Sequence, residues 1–297
     1  FMKYNKINYF LKLINSKAKK KRKKTCFLIG NTKKKFSNNF YLTPYRESQK
    51  TIYMGAIVNN NKTAKDIAKK VDGNVNYVFV DIEKKISSKL DILTNIERAT
   101  KETISKSILK NYKPNDITVN SIENFIQDYF IKDLRGVGGK KILIVGAGNI
   151  GSKIALRLLE SGGLVSLLRR NKKKLKIINN ALNIIKPTYT EAKSSIIYKD
   201  QLRLESYDII IGCTDREVKF KKINNFKKHP MIIDVGQGMF SKNYVKHLSI
   251  KKVPVFRLDV ESSLNSFIDS KISTENFFNS SFINNRGKFR LIKKGIL

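Results

Sequence analysis

The sequence predicts an α/β protein in which a doubly wound parallel sheet follows a smaller α/β domain. Short apolar runs alternate with amphipathic stretches, and glycine-rich turns separate them. A glycine-rich linker at residues 135–139 marks a boundary between a first domain, 1–134, and a second domain, 135–297. The chain of 297 residues is long enough for two domains of this kind.

The first domain carries its candidate chemistry beyond a predicted strand. Apolar runs predict three strands of a largely parallel sheet, at 26–29, 51–58 and 77–80. The same patterns predict three helices: an amphipathic helix at 63–71, a long polar helix at 86–112, and a helix at 122–131. Ligands of parallel sheets bind beyond the carboxyl ends of the strands. Asp81, Lys84 and Lys85 follow the third strand, so we expect them in a substrate or catalytic site.

The second domain begins with a strand, a glycine motif and a helix in immediate succession. The motif G-x-G-x-x-G consists of Gly146, Ala147, Gly148, Asn149, Ile150 and Gly151. Gly146 permits the tight turn out of the strand, Gly148 lets a pyrophosphate approach the backbone, and Gly151 allows close packing of helix on strand. The helix start supplies N–H groups to phosphates. The pattern predicts a Rossmann βαβ unit that binds a dinucleotide.

The end of the next predicted strand indicates which dinucleotide. Arg169, Arg170 and Asn171 stand where an NAD-binding protein would place an acidic residue for the ribose 2′-hydroxyl, and no acid occurs from 164 to 176. Arginine suits a 2′-phosphate, through charge-assisted hydrogen bonds. We therefore expect NADP rather than NAD, although arginines in so basic a chain are also explained by composition.

The charge of the chain is strongly positive. Sixty Lys and Arg residues stand against 24 Asp and Glu, for a net charge of +36, and residues 3–24 contain no acid. Such a balance usually points to nucleic acid or an anionic membrane. The excess of Lys, Asn and Ile is also typical of AT-rich coding sequence. We favour that explanation and keep nucleic acid as an alternative partner.

The two cysteines and the apolar runs bear on location. Cys26 and Cys213 lie far apart with no metal-ligand spacing, which fits a reducing compartment rather than a disulfide framework. No apolar run reaches the length of a membrane span, and the basic start lacks a signal-peptide core. We expect a cytoplasmic protein with no membrane partner and no metal.

These motifs together resemble the bilobal NAD(P)-dependent dehydrogenases, the group of shikimate dehydrogenase, methylenetetrahydrofolate dehydrogenase and glutamyl-tRNA reductase. Residues 144–151 match their fingerprint, and Arg169-Arg170-Asn171 is similar to their Asn-Arg-Thr/Ser at the end of the second strand. Gly212-Cys213-Thr214 resembles their small-residue turn beside the nicotinamide, and residues 232–236, ending in Gly236, are similar to an Ile-Asp-Val-Gly motif. The resemblance is good over residues 135–260 and loose before them.

The resemblance implies an NADP(H)-dependent oxidoreductase and a homodimer. The substrate would be a small polar metabolite, such as an amino acid, imine or hydroxy acid, bound in the cleft between domains. Cys213, Thr214 and Gly236 would lie near the cofactor. The first domain lacks the catalytic patterns of these families, so the resemblance gives a reaction type and not a substrate.

Hydride transfer also needs a group that accepts or gives a proton. The histidines, His229 and His247, look like surface residues. We therefore expect Lys84 or Lys85, with Asp81 as partner, and Tyr45 or Lys50 from an opposite loop. The alternative function is a non-catalytic nucleotide-sensing or nucleic-acid-binding protein built on a Rossmann module.

Overall fold

The protein consists of two compact units. The computed structural model describes residues 2–33, 40–83, 95–220, 229–236, 238–280, 284–286 and 289–291. The first unit joins Phe1–Pro114 to Glu261–Leu297, and the second is Asn115–Val260. Each unit contains its own sheet and its own hydrophobic core.

The elements follow one another as alternating helices and strands. Up to the end of the first sheet they are α1 (Met2–Lys21), β1 (Lys24–Asn31), β2 (Phe40–Leu42), β3 (Arg46–Glu47), β4 (Thr51–Val58), α2 (Asn61–Val71), β5 (Tyr77–Asp81), α3 (Ile96–Lys101) and β6 (Ile108–Tyr112). The next are α4 (Pro114–Tyr129), β7 (Lys141–Val145), α5 (Asn149–Glu160), β8 (Leu164–Leu168), α6 (Lys172–Ile185), β9 (Ser194–Ile196), β10 (Ile209–Gly212), β11 (Met231–Asp234), α7 (Lys242–Ile250) and β12 (Val255–Arg257). The chain closes with α8 (Glu261–Ser280) and the hairpin β13 (Asn284–Arg286) and β14 (Phe289–Leu291).

The first sheet has the order β2-β4-β1-β5-β6, with β3 also paired to β4. Its four longer strands are parallel, and β2 and β3 run antiparallel to β4. Side chains alternate between the two faces, so Phe27 and Ile29 join the buried residues of α1, α2 and α3 in one core. Phe79, on the opposite face, makes an edge contact with Phe267 of α8 at 6.3 Å between ring centroids. Helices therefore cover both faces, as buried parallel strands require.

The second sheet is parallel throughout, in the order β12-β11-β10-β7-β8-β9. Counted from β7, this order is the 3-2-1-4-5-6 of a Rossmann fold, which confirms the predicted fold class. The strand order reverses between β7 and β10, and a crevice opens at the carboxyl ends of strands at such a point. Isoleucine-rich strands such as β7 and β10 are buried from both sides, which explains why they read as continuous apolar runs.

The division of the chain differs from the predicted boundary between residues 134 and 135. Val119, Ile122 and Ile126 of α4 belong to the core of the second unit, and Arg157 of α5 donates to Asn120 and Glu123 of α4. These contacts place α4 in the second unit. The glycines at 136 and 139 have positive φ and form turns inside that unit.

The carboxyl-terminal segment also departs from the predicted domains, since α8 returns to the first unit. The Asp269 carboxylate accepts hydrogen bonds from the hydroxyl of Ser48 at 2.6 Å and from the backbone N–H of Gln49 at 3.1 Å. Lys110 and Glu275 form an ion pair at 2.5 Å. Ile268 and Ile272 of α8 are also buried. Their spacing predicts a helix, but it does not show which unit the helix packs against.

The predicted long helix at 86–112 is wrong over its second half. α3 ends at Lys101, and residues 108–112 form the edge strand β6, which pairs with β5 from Tyr77↔Ile108 to Asp81↔Tyr112. Asp72 holds the connecting turn by accepting from the backbone N–H groups of Ser105, Lys106 and Ser107. Residues 86–94 of that prediction lie outside the described part of the chain.

The basic amino-terminal segment forms α1, whose apolar side is buried in the first core through Ile7, Leu11, Ile14 and Ala18. Lys21 at its end and Lys23 beyond it both pair with Glu47, each at 2.6 Å. None of the helices among the described residues combines the length and the apolar character that a bilayer crossing demands.

Candidate functional site

The glycine turn after β7 is shaped by its three glycines, as the sequence predicts. Gly146 has φ +101°, a conformation that side chains rarely adopt. A Cβ on Gly151 would stand 2.3 Å from the carbonyl oxygen of Gly146, so only glycine lets α5 approach the turn this closely. A Cβ on Gly148 would meet no atom within 4 Å. Gly148 therefore faces open space, as expected for a backbone that a phosphate group approaches.

The start of α5 differs from that of other helices. Asn60, Asn171 and Ser241 cap α2, α6 and α7 by accepting a backbone N–H with their side chains. The N-cap of α5 is Gly148, and no side chain supplies a capping hydrogen bond there. The first N–H groups of α5 and the positive end of its dipole are thus available to an anion.

A cleft of about 670 Å³ opens at the carboxyl edge of the second sheet. It lies where the strand order reverses, because its walls come from the ends of β7, β8 and β10. Its lining comprises Val145, Gly146, Ala147, Gly148, Leu168, Arg169, Arg170, Asn171, Lys199, Cys213, Thr214 and residues 215–218. The structure thus brings most of the predicted cofactor residues to one cavity. Asn149, Ile150 and Gly151 continue from the turn into α5.

The three residues after β8 have separate tasks. The Arg169 guanidinium donates to the carbonyl oxygen of Ala147, so it ties the end of β8 to the glycine turn. Arg170 is exposed in the cleft. The Asn171 side chain accepts from the backbone N–H of Lys174 at 2.9 Å and caps α6. Arg170 is consequently the member of this triplet most available to a ligand.

The turn after β10 lies on the other side of the glycine motif. The Cys213 N–H donates to the carbonyl of Val145 at 2.7 Å, and a Cβ on Gly146 would stand 2.8 Å from the carbonyl oxygen of Cys213. Burial, helped by the charge of Asp234, raises the pKa of the Cys213 thiol to about 12. Because the thiol stays protonated near neutral pH, Cys213 lines the cleft as a small neutral side chain.

Gly236 supports this turn and does not line the cleft. A Cβ at Gly236 would stand 1.9 Å from the carbonyl oxygen of Thr214, a distance that no side chain allows. The N–H of Gly236 also donates to the carbonyl of Gly212 at 3.0 Å. Gly236 thus closes the β10–β11 edge in this structure, and its contact with the cofactor stays a prediction.

The carboxyl edge of the first sheet holds Asp81, which is 1 % exposed. One carboxylate oxygen accepts from the backbone N–H of Asn31 at 3.2 Å, and the other accepts from that of Glu83 at 2.8 Å. Asp81 thus joins the ends of β1 and β5. These two contacts are those of a residue that organises the backbone.

Two further polar groups lie at the same edge. The side-chain amide of Asn31 donates to the carbonyl of Glu83 at 2.8 Å, and its buried carbonyl oxygen has no hydrogen-bond partner in the described part of the chain. The buried Tyr112 ends β6, and burial, together with the charges of Asp81 and Glu83, raises the pKa of its hydroxyl well above the usual value. Asn31 and Tyr112 were missed because neither belongs to a motif.

The other predicted catalytic residues do not join Asp81. Lys84 and Lys85 lie outside the described residues. Lys50 directly precedes β4 and donates to the hydroxyl of Ser273. Val80 is level with Ile29 and Ala56, so Asp81 is level with Ile57. Lys50 therefore lies seven residues, or roughly 23 Å, from the level of Asp81 along the strand direction. Lys50 is at the amino end of the sheet, where the prediction of a shared site fails.

Tyr45 is also placed away from that edge. It precedes β3, whose Arg46 pairs with Tyr53 in the first half of β4. The Tyr45 hydroxyl donates to Glu47 at 3.2 Å, and the Lys17 ammonium lies 4.2 Å from the centre of its ring. Burial and the charge of Glu47 raise the pKa of Tyr45. These contacts attach α1 to the sheet and leave Tyr45 outside a common site with Asp81.

The family model of ketopantoate reductase PanE/ApbA matches residues 142–216, which include most of the residues that line the cleft. No curated protein sequence matches the chain.

Solved structures of Rossmann-type dehydrogenases are similar to the chain at low identity. Glutamate dehydrogenase of Thermus thermophilus is 9 % identical, with a TM-score of 0.47, over 89 % of this chain and 71 % of the other. Shikimate 5-dehydrogenase of Listeria monocytogenes, solved with shikimate and NAD, is 13 % identical, with a TM-score of 0.39, over 80 % and 86 %. L-tryptophan dehydrogenase of Nostoc punctiforme is 12 % identical, with a TM-score of 0.44, over 82 % and 71 %. The Rossmann strand order of the second sheet and the family-model match over residues 142–216 confirm the predicted resemblance to NAD(P)-binding Rossmann-type proteins.

Proposed function

We propose that the chain is an NADP(H)-dependent oxidoreductase that transfers a hydride to or from a small polar metabolite of the amino acid, imine or hydroxy acid class. One observation carries the proposal. A single cleft of about 670 Å³ unites the glycine turn, the uncapped start of α5 and the arginines after β8. Backbone N–H groups and cations arranged in this way match a pyrophosphate and a ribose phosphate.

The residues of the cleft fit the cofactor in both charge and space. The backbone at Gly148 and the first turn of α5 would hold the pyrophosphate, since no side chain occupies that position. Arg170 would hold the 2′-phosphate, and no carboxylate from β8 or the start of α6 competes for the ribose hydroxyl. The bound cofactor supplies or accepts the hydride.

We assign substrate binding to the first unit, at the carboxyl edge of its sheet. The buried carbonyl oxygen of Asn31 needs a donor, because an unsatisfied buried polar atom costs about 1–3 kcal/mol. A hydroxyl or amino group of the substrate meets this need. The raised pKa of Tyr112 keeps its hydroxyl protonated near neutral pH. Asp81 positions these groups by joining the ends of β1 and β5.

A turnover assay tests the proposal. NADPH oxidation is followed at physiological salt with 2-oxo acids, with and without ammonium, and with cyclic imines; the reverse direction uses NADP with amino and hydroxy acids. We expect one class to drive NADPH consumption, with NADH much less effective. A chain that binds NADPH without turnover on any class, and binds RNA with a steep salt dependence, would instead support the nucleotide-sensing or nucleic-acid-binding alternative.

A further inference from the structure

We infer that Lys199 is a specificity residue of the cleft, and that its ammonium binds the 2′-phosphate of the dinucleotide together with Arg170. The inference rests on the proposed function and adds a residue that no motif contains. Lys199 follows the edge strand β9 and lies outside the segment of the chain that contains the glycine motif, Arg169 and Arg170.

The fold delivers Lys199 to the cleft through strand pairing. β9 pairs in parallel with β8, from Val165↔Ser194 to Leu167↔Ile196, so both strands end at the same edge. The N–H of Ile197 extends the pairing by donating to the carbonyl of Leu167 at 3.1 Å. Lys199 then opens a short 3₁₀ turn and lines the cleft with Arg170.

That 3₁₀ turn is ordered by its own hydrogen bonds. The N–H of Gln201 donates to the carbonyl of Tyr198 at 3.1 Å, and the Gln201 side chain accepts from the N–H of Tyr198 at 3.3 Å. The Lys172 ammonium lies 5.1 Å from the centre of the Tyr198 ring. The backbone that carries Lys199 is therefore held in place before a ligand arrives, which lowers the entropy lost on binding.

The charges around the cleft are distributed unevenly. Arg169, Arg170 and Lys199 come from the ends of β8 and β9, on one side of β7. Asp215, Arg216 and Glu217 follow β10, on the other side, and their formal charges sum to −1. A phosphate monoester is thus attracted to the side of β8 and β9.

The cations of the cleft and of the neighbouring helix α5 are not equally available. Arg169 is bonded to the carbonyl of Ala147. Lys153 and Arg157 of α5 are paired with Asp116 and Glu123. Lys199, by contrast, forms no salt bridge with any described carboxylate. Arg170 and Lys199 are therefore the pair best able to bind a phosphate between them.

The test is calorimetric titration of the full chain at physiological salt with NADPH, NADH, adenosine 2′,5′-bisphosphate and 5′-AMP. Lys199→Ala should weaken binding of NADPH and of the bisphosphate about tenfold, the loss expected for one charge-assisted contact, and change NADH and 5′-AMP less than twofold. Lys199→Arg should keep most of the preference. Lys176→Ala removes the same charge from an exposed site on α6 that does not line the cleft, and should change nothing.

The outcomes separate the inference from the proposed function. If Lys199→Ala weakens NADPH and NADH equally, or leaves both unchanged while Arg170→Ala weakens NADPH, the inference falls and the function stands. If the wild-type chain binds neither dinucleotide, both fall. Far-ultraviolet circular dichroism and melting temperature establish that each variant is folded, which an exposed lysine substitution should not alter.

Discussion

In the second unit, the carboxyl ends of β7, β8 and β10 line an open cleft, whereas in the first unit the carboxyl ends of β1 and β5 are joined by a buried carboxylate. Gly148 leaves the start of α5 without a side-chain cap, and its own Cβ position faces empty space. In the first unit, by contrast, the two oxygens of Asp81 each accept a hydrogen bond from a backbone N–H group. The same parallel architecture thus presents unused donors at one edge and satisfied donors at the other.

The difference separates binding from support. An edge that keeps N–H groups without partners is prepared for an anion, because such groups gain their hydrogen bonds only from a ligand or water. An edge whose N–H groups are already satisfied fixes the loops around it. Substitutions at the two edges should therefore affect different measurable quantities.

The largest effect is expected from Gly151→Ala. Its Cβ would stand 2.3 Å from the carbonyl oxygen of Gly146, which is backbone and cannot move aside cheaply. We expect a loss of about 3 kcal/mol in the free energy of unfolding, together with loss of NADPH binding. Urea unfolding measures the first and fluorescence titration the second. Unchanged stability would mean that the close packing of α5 on the turn is incorrect.

Asp81→Asn should have the next largest effect, on stability alone. The substitution replaces one carboxylate oxygen by an NH2 group, which cannot accept from a backbone N–H, so we expect a loss of about 2 kcal/mol. The dissociation constant for NADPH should stay within twofold, because Asp81 belongs to the other unit. A variant with wild-type stability and a large fall in kcat would show instead that Asp81 acts on the substrate, as the sequence predicted.

Gly148→Ala is the matched partner of Gly151→Ala and should give the reverse result. The backbone at Gly148, with φ −98° and ψ −153°, accepts alanine, and the methyl group would meet no protein atom. Stability should change by less than about 0.5 kcal/mol. NADPH affinity should fall at least tenfold, about 1.4 kcal/mol, because the methyl group takes the space that the pyrophosphate needs. Wild-type affinity would contradict a cofactor site at this turn.

The smallest effect concerns acid stability of the first unit. Burial would raise the pKa of Asp72, but hydrogen bonds from Ser107, Lys106 and Ser105 outweigh it and lower the pKa to about 2. A lowered folded-state pKa stabilises the protein above the unfolded value of about 3.8, and this stabilisation is lost as the pH falls toward 2. Asp72→Asn should therefore cost about 1 kcal/mol at pH 6.

A pH series checks the sign. The difference in melting temperature between wild type and Asp72→Asn should be constant above about pH 5 and shrink steadily toward pH 2. A difference that grows on acidification would show that the carboxylate is not held by the backbone N–H groups of the 105–107 turn. The ion pair of Lys110 and Glu275, in the same unit, is present in both proteins. Its own response to pH therefore cancels in the difference between the two melting temperatures.

The sequence predicted the second unit better than the first, for physical reasons. β7 and β10 are buried on both faces, so their apolar residues are continuous and easily recognised. β6 is an edge strand in which Lys110 is partly buried and Asn111 is exposed, so its sequence resembles that of the polar helix predicted there. β2 and β3 have three and two residues, too few for a period to be visible.

The candidate sites, too, were predicted where the signal is local in the sequence and missed where it is not. The cofactor site is largely contiguous, and each glycine has a local steric task that its spacing expresses. Lys199 and Asn31 reach their sites through strand pairing, which a single sequence does not display. The position of Lys50 is predictable from the sequence. A residue just before a parallel strand lies at the amino end of the sheet, whereas Asp81 ends a strand at the carboxyl end.

The central claim is that the cleft of the second unit is an NADP(H) site, and a thermal-shift titration tests it most directly. The wild-type chain is heated with NADPH, NADH or tripolyphosphate at physiological salt, the last controlling for the net charge of +36. A ligand that binds only the folded state raises the melting temperature, and the rise grows with the logarithm of the ratio of ligand concentration to dissociation constant. We predict a rise with NADPH at concentrations where NADH and tripolyphosphate have little effect. Equal rises with all three, or none, would contradict the account.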